Sequence, residues 1–93
     1  MKQKYIIMIT EEELENIKKR INSATPGPWK AQVEGRDFPL GGDTFIMTGE
    51  GEKRTEDIYL TGATIADIDF IANARQDVPT LIRELEELKR RIS

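Results

Sequence analysis

Residues 64–92 of this 93-residue chain read TIADIDFIANARQDVPTLIRELEELKRRI, and this stretch governs the architecture that we expect. Apolar residues recur every three or four positions along it, which is the spacing of α-helices. The stripe predicted to face the core consists of Ile65, Ile68, Ile71 and Ala72. Proline lacks a backbone N–H and is disfavoured inside helices, so we predict a break or kink at Asp77-Val78-Pro79. The sequence therefore predicts two C-terminal helices, the second from Val78 to Ile92.

The second of these helices carries an apolar seam. Its members are Leu81, Leu85, Leu88 and Ile92, at spacings of four, three and four residues. The seam is about two heptads long, too short for a free coiled coil but sufficient for one side of a helix–helix contact. Because a domain of this size has a thin core, we predict that the seam packs at least partly against another copy of the chain.

A further helix is predicted near the N-terminus, from Glu11 to Asn22. Thr10 precedes it and Glu13 follows three residues later, the arrangement of a capping box. Acidic residues crowd its start and basic residues its end, which suits the helix dipole. The run Tyr5–Ile9 before it is interpreted either as a strand or as an apolar lead-in to the helix.

The middle of the chain favours short strands. Residues Ala24–Trp29 contain two prolines and a glycine and cannot be helical. The strands are predicted at Trp29–Val33, Thr44–Thr48 and Asp57–Leu60, with a hairpin turn at Glu50–Lys53. These elements predict a single α+β domain over residues 1–93: an N-terminal helix, a small antiparallel β-meander and two C-terminal helices, assembled as a homo-oligomer.

Composition excludes several classes of function. The chain has no cysteine and no histidine, so it has neither thiolate zinc sites nor Ser-His or Cys-His nucleophile pairs. Asp67 and Asp69 point to different faces of a helix and do not form a catalytic carboxylate pair. The net charge of -3 is unsuited to binding duplex nucleic acid. No run is long enough to cross a membrane, and no signal peptide is apparent, so we expect a cytoplasmic protein without enzymatic activity, cofactor or metal.

Phe70, Asn73 and Arg75 form the leading candidate site. An aromatic face, an amide and a guanidinium can stack on a base, bond its edge and bind a phosphate. The alternative is that Phe70 packs in an interface and Arg75 forms a salt bridge. Arg36 and Arg54 lie near glycines, where backbone N–H groups can approach an anion. For Arg54 the alternative is a solvated hairpin tip.

Trp29 is the only tryptophan and directly follows the Pro-Gly-Pro sequence. We interpret it as a core residue that packs the first strand against a helix. The alternative is that its flat ring binds a base or another aromatic group.

Two segments together resemble a known family. Ala24-Thr25-Pro26-Gly27-Pro28-Trp29 is followed, after the β-rich middle, by residues 66–81, ADIDFIANARQDVPTL. This pair of motifs is similar to a pattern of small phage proteins, and the length and middle region most resemble the Thoeris anti-defence sponges of the first-described type. The resemblance extends from Ser23 to Leu88.

The resemblance implies a phage protein that acts in the host cytoplasm without catalysis. Such proteins bind cyclic ADP-ribose isomers made by bacterial TIR-domain proteins and keep them from the downstream effector. They assemble as homodimers that can build to hexamers, and some also hold cyclic oligonucleotides from cGAS-like enzymes. Phe70, Asn73 and Arg75 stand at matching motif positions, whereas Arg36 and Arg54 are candidates from residue chemistry alone.

Two other functions remain open from the sequence. A non-enzymatic phage structural or regulatory protein could bind a host protein through the apolar seam. A single-stranded nucleic-acid binder is the third hypothesis.

Overall fold

The computed structural model describes residues 7–92. Its elements are, in order, α1 (Glu11–Ser23), β1 (Trp29–Gln32), β2 (Phe45–Thr48) and α2 (Ile65–Ile92), with a short 3-10 turn at Gly51–Lys53. The two strands form one antiparallel sheet, and a long C-terminal helix packs against it. The predicted α+β class is thereby confirmed.

Local capping chemistry begins α1 as the sequence predicts. The Glu13 N–H donates to the Thr10 hydroxyl at 3.0 Å, and the Thr10 N–H donates to the Glu13 carboxylate at 2.8 Å. The helix ends at Ser23, one residue beyond the predicted end. Residues 7–9 form no strand, and the rest of the Tyr5–Ile9 run lies outside the described residues.

The β-meander is smaller than predicted. β1 and β2 pair with Ala31 opposite Ile46, but Asp57–Leu60 does not form a third strand. Ile58 makes one bridge to Ile46, with both N–H···O distances at 2.9 Å. The ladder stops there because the two carbonyls that it would use next have other partners. The Thr48 carbonyl accepts from the Thr55 N–H, and the Glu56 carbonyl accepts from the Thr48 hydroxyl.

The structure corrects the prediction of two C-terminal helices. α2 is one helix of 28 residues with Pro79 inside it. An interior proline costs about 3 kcal/mol, and α1 contacts α2 beyond the proline through ion pairs that, being partly exposed, each contribute less than this cost. The Lys18 ammonium binds the Glu86 carboxylate at 2.8 Å, and Lys89 pairs with Glu11. Pro79 therefore lies within a helix that tertiary packing holds together on both sides of it.

The core lies between α2 and one face of the sheet. Its buried members are Ala31, Val33, Ile46, Ile68 and Ala72. The predicted α2 stripe is correct for Ile68 and Ala72, but Ile65 and Ile71 are 53% and 37% exposed. Ile65 is the first residue of the helix, and Ile71 is rotated by about 100° from Ala72. A two-stranded sheet is too narrow to cover both.

Candidate ligand-binding face

Phe70 is the most prominent aromatic side chain of the candidate face. It is 75% exposed, although it lies within the helix that forms half of the core. Its ring lines a groove of about 290 Å³ whose apolar walls include Leu60, Ala63 and Ile71. Phe70 thus offers an open ring beside a concave apolar surface, the geometry that stacking of a planar group requires.

Asn73 adjoins Phe70 on the outer surface of α2, as the three-residue spacing predicts. Its Nδ2 donates to the backbone oxygen of Asp69 at 2.8 Å. Among residues 7–92 the amide has no other partner, so its oxygen and one N–H remain for a ligand. This pair could stack on a base and bond its edge.

Arg36 reaches the same region from the loop after β1. Its guanidinium binds the Asp69 carboxylate through two bonds of 2.8 and 2.9 Å, and it also pairs with Asp37. The hydrogen bonds from Arg36 hold the pKa of both carboxyls below their ordinary values. Two carboxylates around one guanidinium leave the cluster net negative, so a phosphate at Arg36 must compete with Asp69.

Arg75 does not lie beside Phe70. It is near the middle of α2 rather than at a helix end, and a separation of five residues places it about 140° around the helix. Its Nε donates to the Thr25 carbonyl at 2.9 Å, and one terminal nitrogen donates to the Ile21 carbonyl at 3.3 Å. A guanidinium at the end of α1 also suits the helix dipole. Its partners are backbone carbonyls, so the alternative of a salt bridge is wrong within residues 7–92.

Arg54 lies far along the sheet from Arg36. Arg36 follows β1 and Arg54 follows β2, so the antiparallel pairing puts them at opposite ends. Arg54 pairs with the Asp57 carboxylate. Within one chain, Asn73 neighbours Phe70 on α2 and Arg36 binds the nearby Asp69, although neither Asn73 nor Arg36 lines the Phe70 groove, while Arg54 and Arg75 lie elsewhere.

The two motifs that carry the family resemblance contact each other through Gln76, a residue that the sequence analysis did not single out. Its amide bonds both backbone groups of Trp29. Gly27 packs so closely that an added Cβ would lie 3.3 Å from the Gln76 oxygen and 3.4 Å from Arg75 Cγ. The Trp29 indole N–H donates to the Thr25 carbonyl at 3.1 Å. Gln76 and the Pro-Gly-Pro loop are distant in sequence, so no local sequence pattern predicts this contact.

Comparison of the chain with protein-family models, curated protein sequences and solved structures finds no match. Residues 7–92 contain no group of three or more potential metal ligands. Neither helix in that part of the chain combines the length and apolar character needed to cross a membrane.

Proposed function

We propose that this chain is a phage anti-defence protein that binds cyclic ADP-ribose isomers in the host cytoplasm and sequesters them without cleavage. The observation that carries the proposal is the 75% exposed Phe70 ring on the wall of a groove, with the Asn73 amide beside it. An exposed aromatic ring next to an amide suits an adenine-containing ligand, because stacking on it contributes about 1–3 kcal/mol per base. The family resemblance supports the choice of cyclic nucleotide.

The phosphates of such a ligand need cations, and Arg36 is the candidate that binds the Asp69 carboxylate, while Asn73 binds the Asp69 backbone. Arg75 and Arg54 are too far around the molecule to join the same site within one chain. In this proposal they contribute from a neighbouring copy in a dimer or hexamer. Leu81 and Leu88, 66% and 50% exposed on α2, support such self-association because they leave apolar surface for another copy to cover.

A sponge must bind its signal tightly and release it unchanged. A dissociation constant of roughly ten nanomolar corresponds to about -11 kcal/mol. One stack, several charge-assisted hydrogen bonds and burial between copies can supply this free energy. Since nothing in this scheme cleaves the ligand, it needs no general base and no metal. Some cyclic oligonucleotides could use the same chemistry, and they belong in the ligand panel.

The decisive experiment separates binding from turnover. Purified protein is incubated with a panel of cyclic ADP-ribose isomers and cyclic oligonucleotides, the free ligand is measured, the protein is denatured by heat, and the ligand is measured again. We expect depletion followed by the return of intact ligand. A chemically changed ligand would mean an enzyme. Leu40→Ala provides a control variant that should deplete and return the ligand as the parent does, since Leu40 is an 81% exposed apolar residue outside the Phe70 groove.

A second candidate function is a phage structural or regulatory role through a protein interface on α2. The observation that favours it is a row of exposed apolar side chains on one face of α2: Phe70, Leu81 and Leu88. In this case the row binds a different protein rather than another copy. Absence of depletion for every cyclic nucleotide, together with a monomeric mass, would favour this function over the sponge.

A further inference from the structure

A cleft of about 420 Å³ lies between the Pro-Gly-Pro loop and the middle of α2. Pro28 and Pro79 form its stiff walls, and Arg75, Thr80 and Arg83 supply its polar side chains. Its volume is within the range of small-molecule sites, about 300–1,000 Å³. The cleft and the Phe70 groove have no lining residue in common, although Arg75, which the proposed function assigns to the ligand site of a neighbouring copy, lines the cleft.

The charge of this cleft is unusual for a chain with a net charge of -3. Of the other five arginines, Arg36, Arg54, Arg90 and Arg91 pair with carboxylates, whereas Arg20 on α1 forms no ion pair with residues 7–92. Arg75 and Arg83 form no ion pair with any of residues 7–92. The carbonyls that bind Arg75 fix its position but do not neutralise its charge. Arg75 and Arg83 both line this concave site and neither has a carboxylate partner, so the site favours an anion, with the Arg75 guanidinium itself bound to the Thr25 and Ile21 carbonyls.

The side chains are arranged so that Arg83 can receive such an anion. The Thr80 hydroxyl donates to the Gln76 carbonyl at 2.9 Å and accepts from Arg83 at 3.2 Å. This is the only hydrogen bond of the Arg83 guanidinium within the described part of the chain. The group is therefore oriented, and most of its N–H groups remain for the two oxygens of a bidentate phosphate contact.

We propose that this cleft binds the phosphate or diphosphate group of a small molecule, with Arg83 as the fork and Arg75 as a fixed positive charge. The lining contains no aromatic ring on which a base could stack. The Gln76 amide is already bonded to Trp29 and Ala72 and is not available to read a base edge. The site therefore recognises the phosphate part of a ligand rather than its base.

The test uses inorganic pyrophosphate and the intact protein. Binding is followed by calorimetry in the parent and in Arg83→Gln, which removes the charge without disturbing a buried group. We expect Arg83→Gln to weaken pyrophosphate binding about tenfold or more, the loss typical of a charge-assisted bidentate contact. Arg83→Lys should also weaken binding, because it keeps the charge but loses the fork.

Arg91→Gln is the matched control. It removes the same charge from the same helix, at a side chain that is 75% exposed and far from the cleft. Its pyrophosphate affinity should stay within about twofold of the parent, since exposed charges are screened by salt. Phe70→Ala should also bind pyrophosphate as the parent does, and Arg83→Gln should bind a cyclic ADP-ribose isomer as the parent does; this reciprocal pattern distinguishes the cleft from the proposed cyclic-nucleotide site. The proposal is overturned if pyrophosphate does not bind at millimolar concentration, or if Arg83→Gln and Arg91→Gln weaken it equally. Tighter binding of a thymidine oligonucleotide than of pyrophosphate would also overturn the proposal, and it would indicate a site for single-stranded nucleic acid instead.

Discussion

The side-chain amide of Gln76 pairs with the backbone of Trp29 as a neighbouring strand would. Its oxygen accepts the Trp29 N–H at 2.7 Å, and its nitrogen donates to the Trp29 carbonyl at 3.1 Å. Trp29 is the first residue of β1, so this contact fixes the start of the sheet on the middle of α2. Together with the bond from Arg75 to Thr25, it joins the two motifs that carry the family resemblance. These motifs thus stabilise the fold, whatever part of them also contacts a ligand.

The Gln76–Trp29 contact predicts a loss of stability on Gln76→Ala. The substitution leaves the Trp29 N–H and carbonyl without their partners in a half-buried site, and an unsatisfied group costs about 1–3 kcal/mol. We expect a decrease of that size in the free energy of unfolding, measured with urea. Asn73→Ala is the control on the same helix, because that exposed amide bonds only its own helix within residues 7–92. Equal stability of both variants would mean that the Gln76 amide contributes nothing.

Trp29→Ala tests whether Trp29 is a core residue. The ring is half-buried against the core cluster and its N–H is bonded to Thr25. Because burial is partial, we expect a loss of about 3 kcal/mol, the lower end for substitution of a large aromatic residue by alanine. Thermal unfolding would show it as a lower Tm. A variant that keeps the parental Tm but no longer binds a cyclic nucleotide would instead place Trp29 in the ligand site.

Local chemistry made part of this fold predictable. Thr10 and Glu13 identify the start of α1 because both bonds of a capping box lie within one helical turn. The adjacency of Phe70 and Asn73 likewise follows from helical spacing. Pro79 was misleading because its local preference for a break takes no account of α1, which contacts α2 beyond the proline. The Arg36–Asp69 pair joins residues 33 positions apart, so sequence spacing could not place Arg36 against α2.

The Arg36–Asp69 pair also predicts a dependence of stability on pH. Hydrogen bonds from Arg36 lower the pKa of Asp69 and of Asp37 in the folded state. The stabilisation is therefore complete above the ordinary aspartate pKa of about 3.9 and is lost as the pH falls through the lowered values. In Asp69→Asn we expect a shallower loss of stability below about pH 4, measured by urea unfolding at several pH values. Asp77→Asn is the control, since it removes one carboxylate from the same helix and Asp77 has no ion pair among residues 7–92. Identical slopes in both variants would contradict a role for the pair.

Self-association is best tested at Leu81. Leu85 is half-buried in the chain itself, so an aspartate there would also disturb the fold, whereas Leu81 is 66% exposed. We expect Leu81→Asp to lower the mass measured by light scattering toward that of the monomer, because a charge in an apolar interface is costly to desolvate. Leu40→Asp, at an 81% exposed loop residue, should leave the mass unchanged. An unchanged mass for Leu81→Asp, in a soluble protein, would exclude this face as the contact between copies.

The proposed ligand face is tested most directly at Phe70. Because the ring is 75% exposed and makes no part of the buried core, Phe70→Ala should leave the Tm nearly unchanged. Its affinity for a cyclic ADP-ribose isomer should fall by about 1–3 kcal/mol, the contribution of one stacked base. Stacking is largely insensitive to ionic strength, whereas a contact between Arg36 and a phosphate is weakened by salt. Calorimetry on the parent and on Phe70→Ala at low and high salt therefore separates the two contributions. The difference in binding free energy between the two proteins should persist as the salt concentration rises. If Phe70→Ala binds as the parent does at both salt concentrations, the ligand does not stack on this face.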